Sequence, residues 1–239
     1  MAEALARMRA IEAALPTSDG VACFARLYRE VTEGVAGALE QGAFADPRFL
    51  ERLDVVFAGL FFAAVDLDER DPGSAPAAWR PLFLARARRG IAPIQFALAG
   101  MNAHINRDLP VALVTTCSEL GVELRSDSQQ HADYLRVNAL LAEVEARLKK
   151  SYATGLLGRL GRFLHGFHRL DDVIAMWNLE RARDAAWTNA EALWSLRGTP
   201  HLAAEFVSSL DRMVGFAGRG LLVPSESLTQ RLARRLHLA

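Results

Sequence analysis

Between Ile94 and Val114 the chain is almost continuously apolar, except at its centre, where Asn102, His104, Asn106, Arg107 and Asp108 interrupt the run. Such a stretch reads as a helix surrounded by other helices, and it places five polar or charged side chains where water is scarce. Leaving such groups unpaired costs about 1–3 kcal/mol each, so the rest of the fold has to supply partners for them. His104 and Asp108 are four residues apart and share one face of a helix. Pro110 follows at once, and its missing N–H and bulky ring predict a kink or break there.

The remainder divides into helical segments separated by Pro, Gly and Asp, with no alternation of the kind a half-buried strand shows. The first helix runs from Ala2 to Ala14, and a second from a Ser18 or Asp19 cap to Leu39. A third opens at Asp46-Pro47, an N-cap with proline at the first helical position, and reaches Val65. Further helices are expected over Ala78–Arg89, Pro93–Leu120 and, from a Ser126/Gln129 capping box, to Tyr152. The last three cover Asp171–Leu196, Pro200–Ala217 with Thr199 as cap, and Ser225–Leu236. The expected fold is all-α, a single globular bundle of about eight to ten helices spanning residues 1–239. A glycine-rich loop or lid at 153–168 is the exception: Gly155, Gly158, Gly161 and Gly166 weaken a helix, while its leucines and phenylalanines favour contact with something apolar.

Composition narrows the function. Formal net charge is zero, which argues against nucleic acid as a partner. Apart from Lys149 and Lys150 every basic residue is Arg, and the Arg and Ala richness points to a GC-rich bacterial genome. Cys23 and Cys117 stand in apolar helical contexts and read as small core residues. No apolar run is long enough for a transmembrane segment, and Met1-Ala2-Glu3-Ala4 does not resemble a signal peptide, so a cytoplasmic location is expected.

Three of the six histidines have a carboxylate four residues on: His104–Asp108, His168–Asp172 and His201–Glu205. A solvated pair is the plain explanation for each, worth about 0.2–0.5 kcal/mol. His201–Glu205 shares its face with Ser208 and Arg212, which suits solvent, with Leu202, Phe206 and Met213 turned inward. Asp172 begins a line through Met176, Leu179, Arg183, Trp187 and Trp194, so Arg183 lies on an aromatic face, to stack on Trp187 or pair with Asp172. Asp54 follows Leu50 and precedes Phe57 and Phe61 on an apolar line; it needs a cation, a donor network or a metal. His165 and His168 are spaced as a metal pair could be, with Gly166 between them. Asp66 to Asp71 lacks the glycine and the distal Glu of a calcium loop.

The segment Asn102-Ala103-His104-Ile105-Asn106-Arg107-Asp108-Leu109-Pro110 resembles the signature of an uncharacterised helical family of bacteria and fungi. Leu53-Asp54-Val55-Val56-Phe57-Ala58 and Arg181-Ala182-Arg183-Asp184-Ala185-Ala186-Trp187 resemble its other recurring segments. That likeness covers most of the chain and implies that Asp54, His104, Asp108 and Arg183 belong together, without bringing an activity. His104-x-x-x-Asp108 is also similar to a motif of the zinc-dependent phospholipase C and P1 nuclease group. Those helical enzymes hold three zinc ions. This chain departs from them in lacking an N-terminal Trp, in its few histidines and in an exposed His201–Glu205, which implies at most one or two metals.

Three functions fit these residues. In the first, a divalent metal, zinc by preference, is held by Asp54, His104 and Asp108, with His168 and Asp172 as further ligands. It would activate water against a phosphoester or lipid-like substrate while Arg183 neutralises an anionic group. In the second, a metal-free pocket binds a small, partly apolar molecule as an isomerase, cyclase or binding protein. There His104 and Asp108 act as an acid–base dyad, with Arg183, Trp187 and Trp194 orienting the ligand. In the third, the polar residues form a satisfied network that fixes helix packing, with no catalysis.

Overall fold

A computed structural model of the chain describes residues 1–154 and 178–224, the side chains of 143–154 excepted. The described residues are helical throughout, without a strand. The elements are α1 (Ala2–Ala14), α2 (Gly20–Glu40), α3 (Pro47–Arg70), α4 (Arg80–Ala85), α5 (Pro93–Ala103), a π-helical turn (His104–Asp108), α6 (Leu109–Leu120), α7 (Gln129–Thr154), α8 (Leu179–Ser195) and α9 (Pro200–Leu221). The expected lid at 153–168, apart from its first two residues, lies outside the described residues. So do His165, His168, Asp172 and the helix expected over Ser225–Leu236.

The line α5–π turn–α6 is the axis of the bundle. α2 and α9 pack on α5, α3 and α8 pack on α6, and α3, α8 and α9 all reach the π turn. This is the burial that the apolar run demanded: Phe96 to Met101 and Ala112, Leu113 and Cys117 are all inside. Close approach of α2 depends on Gly100, where a Cβ would stand 2.3 Å from Phe24 Cδ2.

Pro110 does not break the axis. Its ring would clash with the carbonyl of Asn106, four residues back, in a regular α-helix. The chain widens instead into a π turn, with the Leu109 N–H bonded to the His104 carbonyl, and resumes as α6 with proline in its first turn. Gly121 ends α6 in the left-handed conformation at φ 66°.

Other boundaries follow local chemistry. Asp19 caps α2 through the Val21 amide at 2.8 Å and takes a 2.8 Å hydrogen bond from Arg86. Asp46 caps α3 through Phe49 at 3.1 Å. The cap before α7 is Ser128, which accepts from the His131 amide at 3.1 Å, whereas the expected Ser126 turns to Glu191. α4 is shorter than the expected Ala78–Arg89, and the amides of Ala77 and Ala78 just before it are bound by Asp211 of α9, at 2.7 and 3.0 Å. α9 also presents a different face from the one expected. Leu202 and Met213 are exposed, and Leu210, Val214, Gly215 and Gly218 point inward. Gly215 sets that rotation, since a Cβ there would lie 2.2 Å from the Ala77 carbonyl oxygen.

Candidate functional site

The polar side chains of the π turn converge on Asp108 and on Asn102. Asn102, one turn earlier, donates to the Val214 carbonyl of α9 at 3.0 Å and accepts from Asn106 at 3.1 Å. Arg107 donates to Asp108 Oδ1 at 2.7 Å and lies 3.5 Å from Asp211. Asp108, with no exposed surface, accepts from Trp79 Nε1 at 2.9 Å through Oδ2. A closed circuit results: Trp79 to Asp108 to Arg107 to Asp211, and back to the amides of Ala77 and Ala78. Asp108, Asn102 and Asn106 find partners in this network, as buried polar groups have to, while Arg107 Nε meets Asp211 only as an ion pair without a hydrogen bond.

His104 joins this circuit through Nδ1, 3.0 Å from Asp108 Oδ2. A carboxylate beside the Arg107 guanidinium is an acceptor, so Nδ1–H donates to it and the tautomer is assigned by that bond. Nε2 is left as a lone-pair acceptor. The ring is clamped face to face on Phe57, centroids 3.5 Å apart, and edge-on to Tyr28 at 4.5 Å. Burial pushes the His104 pKa down against the opposing pull of Asp108, so the imidazole is neutral at physiological pH.

Beside this ring lies a cavity of about 100 Å³. Its walls are mostly aliphatic and aromatic, drawn from α2, α3, the axis, α7 and α8. Tyr28, Thr32, Asp54 and His104 interrupt them. Tyr28 Oη, Thr32 Oγ1, Asp54 Oδ2 and His104 Nε2 are all buried, and none has a hydrogen-bond partner of full geometry within the protein, the Tyr28 and Thr32 hydroxyls interacting with each other only loosely. Four unpaired polar atoms on one small apolar cavity are exceptional, because each alone costs about 1–3 kcal/mol.

Burial pushes the Asp54 carboxyl up to about 6, with the Met1 amino group pulling it part of the way back. The Tyr28 phenol is pushed well above its ordinary 10, first by burial and then by the charges of Asp54 and Asp108, against a small opposing pull from the Thr32 hydroxyl, so it stays an O–H. Among the described residues no Arg reaches Asp54 to form an ion pair. The cavity therefore holds one lone-pair base, one carboxyl that titrates close to neutrality and two hydroxyls.

Arg183 also lines the cavity and is buried. Its guanidinium lies over the Tyr134 ring at 3.9 Å, rather than on Trp187 as the sequence line suggested. Nε donates to Asn138 at 2.6 Å and Nη2 to the Tyr134 carbonyl at 2.7 Å, while the Tyr134 hydroxyl donates back to the Arg183 carbonyl at 2.8 Å. This reciprocal clamp locks α7 to α8. Trp187 packs against Tyr134 and His131, and Trp194 hydrogen-bonds to Glu123 at 3.0 Å. Neither tryptophan lines the cavity.

Asp54, His104 and Arg183 thus share one cavity, and Asp108 stands behind His104 without lining it. Among the described residues no three of His, Cys, Asp and Glu gather as they would around a metal ion. His201 and Glu205 are exposed, as expected. The residues that the sequence did not single out are Tyr28, Thr32 and Trp79. Tyr28 and Thr32 are one turn apart on the apolar line Phe24, Tyr28, Val31, Val35, a polar pair within a buried face. Trp79 sits in a loop, where nothing local ties it to Asp108.

No curated protein and no solved structure matches the chain. A family model does, over residues 1–224, so the chain belongs to DUF5995, a family of unknown function.

Proposed function

We propose that the protein binds a small, largely apolar molecule in the cavity beside His104 and carries out metal-free proton transfer on it. The observation that carries this reading is the convergence of four unpaired polar atoms on an otherwise apolar cavity. Protein interiors avoid that arrangement unless a bound molecule or water completes it.

His104 has what a general base requires. Its imidazole is neutral, Asp108 fixes its tautomer, and the rings of Phe57 and Tyr28 hold its plane. It takes a proton from the bound molecule and returns one at a second position, so the molecule is isomerised with no change in atoms or electrons. Asp54, near neutrality, is suited to hold or supply a proton across the cavity. Asp108, Arg107 and Trp79 position the base without touching the ligand. The test is to extract the purified protein with organic solvent, identify the molecule recovered, and incubate it with protein in D₂O. Deuterium should enter the molecule with the wild type and not with His104→Gln. A wild-type protein that yields no molecule and binds no apolar probe refutes the reading.

Metal-dependent hydrolysis is the second reading, favoured by one observation: His104 Nε2 and Asp54 Oδ2 are both unpartnered on the same cavity. Asp108 would then be the carboxylate that orients a metal-bound histidine, an outer partner rather than a ligand. The likeness to the zinc-dependent phospholipase C and P1 nuclease group rests on His104 and Asp108. His168 or Asp172 would have to complete the set, because two donors do not hold zinc tightly. Elemental analysis of untagged protein, with zinc at one or more equivalents and lost in His104→Gln, is the result that would put this reading first.

A further inference from the structure

The chemistry of the cavity specifies the head of its ligand more closely than its body. We propose, building on the binding reading above and not on its proton-transfer step, which needs a further activating group elsewhere on the molecule, that the ligand carries an uncharged alcohol head, its hydroxyl seated among Tyr28, Thr32 and His104 and its apolar body against the aliphatic wall.

The hydrogen-bond inventory leads to this class. His104 Nε2 can only accept, because its partner nitrogen donates to Asp108. Tyr28 and Thr32 bring hydroxyls that can donate, and both side chains are almost wholly buried. A group that completes this set has to donate to the imidazole and accept from a hydroxyl at once. An alcohol does both with one oxygen. A ketone or aldehyde accepts only and leaves Nε2 unpaired, and an alkane satisfies none of the four atoms.

Anionic heads fit worse. A carboxylate or phosphate would set its charge beside Asp54 and against the lone pair of His104. The cation on the wall, Arg183, is already bound to Asn138 and the Tyr134 carbonyl and stacked on the Tyr134 ring. Above about pH 6, where Asp54 ionises, an anion would meet a like charge at close range in a poorly solvated space. The rest of the wall offers only apolar contact: Leu27, Val31 and Val35 from α2, Leu50 and Leu53 from α3, and Val137 from α7.

Three probes of one carbon length test this on the full chain: 1-hexanol, hexane and hexanoate, titrated by calorimetry at about pH 8 with thermal-shift measurements in parallel. Hexanol should bind about tenfold tighter than either of the others, the gain expected from one or two buried hydrogen bonds. In Thr32→Val and Tyr28→Phe the preference for hexanol over hexane should shrink towards unity. Hexane provides the internal control that the cavity survives each substitution. Equal binding of hexanol and hexane to the wild type overturns the alcohol assignment and leaves the apolar binding site standing. Tighter binding of hexanoate overturns it too, and makes Arg183 the anchor. Failure of all three probes to bind removes the binding reading together with the assignment.

Discussion

Asp54→Asn should make the protein more stable at neutral pH, although it alters a buried polar residue of the cavity. Asp54 is mostly buried, its Oδ2 has no partner, and its carboxyl titrates at about 6 instead of the ordinary 3.8. The folded chain therefore holds a proton between roughly pH 4 and 6 that the unfolded chain has released, and stability falls as pH rises through that window. Above it the ionised carboxylate costs the fold about 3 kcal/mol. Asparagine has the same shape and never ionises, and its amide is no worse satisfied than the neutral acid. The variant should gain about 1–3 kcal/mol at about pH 8, shrinking to nothing near pH 4. Urea unfolding followed by far-ultraviolet circular dichroism over this range reads the difference directly. His104 contributes in the opposite sense: its lowered pKa means that stability is lost as pH falls below about 6.5. That term is common to both proteins and cancels in the difference. An Asp54→Asn variant less stable than wild type at about pH 8 would refute the account of Asp54 as an uncompensated acid. Should the gain appear, Asp54 is a residue that lowers stability at neutral pH, as groups kept for function commonly do.

Trp79→Phe removes the Nε1–H bonded to Asp108 and should destabilise the fold by about 1–3 kcal/mol in the same urea assay, because a buried carboxylate loses a donor. Gly100→Ala should cost about 1–3 kcal/mol and weaken hexanol binding as well, since the new methyl displaces Phe24, a wall of the cavity. Gly215→Ala meets a backbone carbonyl instead of a movable ring, so its loss in melting temperature should exceed that of Gly100→Ala. His104→Gln should flatten the acid side of the stability profile below about pH 6.5, measured by thermal melts in matched buffers.

The helical periodicity carried most of the architecture, because burial of an apolar stripe is a local pattern. The axis between Pro93 and Leu120, the Asp46-Pro47 start of α3 and the Thr199-Pro200 start of α9 stand where the sequence placed them. Misplaced features involve distant groups: Asp211 holds the amides just before α4, and the Gly215–Ala77 contact turns α9 away from the stripe of Leu202 and Met213. The site divides in the same way. His104 and Asp108 were legible from a four-residue spacing in an apolar run, and Asp54 from its isolation among phenylalanines. Trp79 was not, because its tie to Asp108 spans 29 residues. Tyr28 and Thr32 have the right spacing, yet amphipathic residues at helix positions give no sign that their oxygens will end without partners.

The π turn also changes what a small edit to the gene would do. Most helices absorb the loss of a surface residue at a loop, but a single-codon deletion within 104–108 would return the axis to a regular α-helix. Because the π turn holds one residue more than an α-turn, α6 would keep close to its present phase, and the cost would fall on the turn itself. Pro110 would be driven into the carbonyl it now avoids, and the polar side chains of the turn would lose their present partners. The extra residue of this turn is therefore what lets a proline and a buried polar network share one continuous axis, and a deletion here should be harmful through Pro110 and Asp108, with the packing phase of α6 kept.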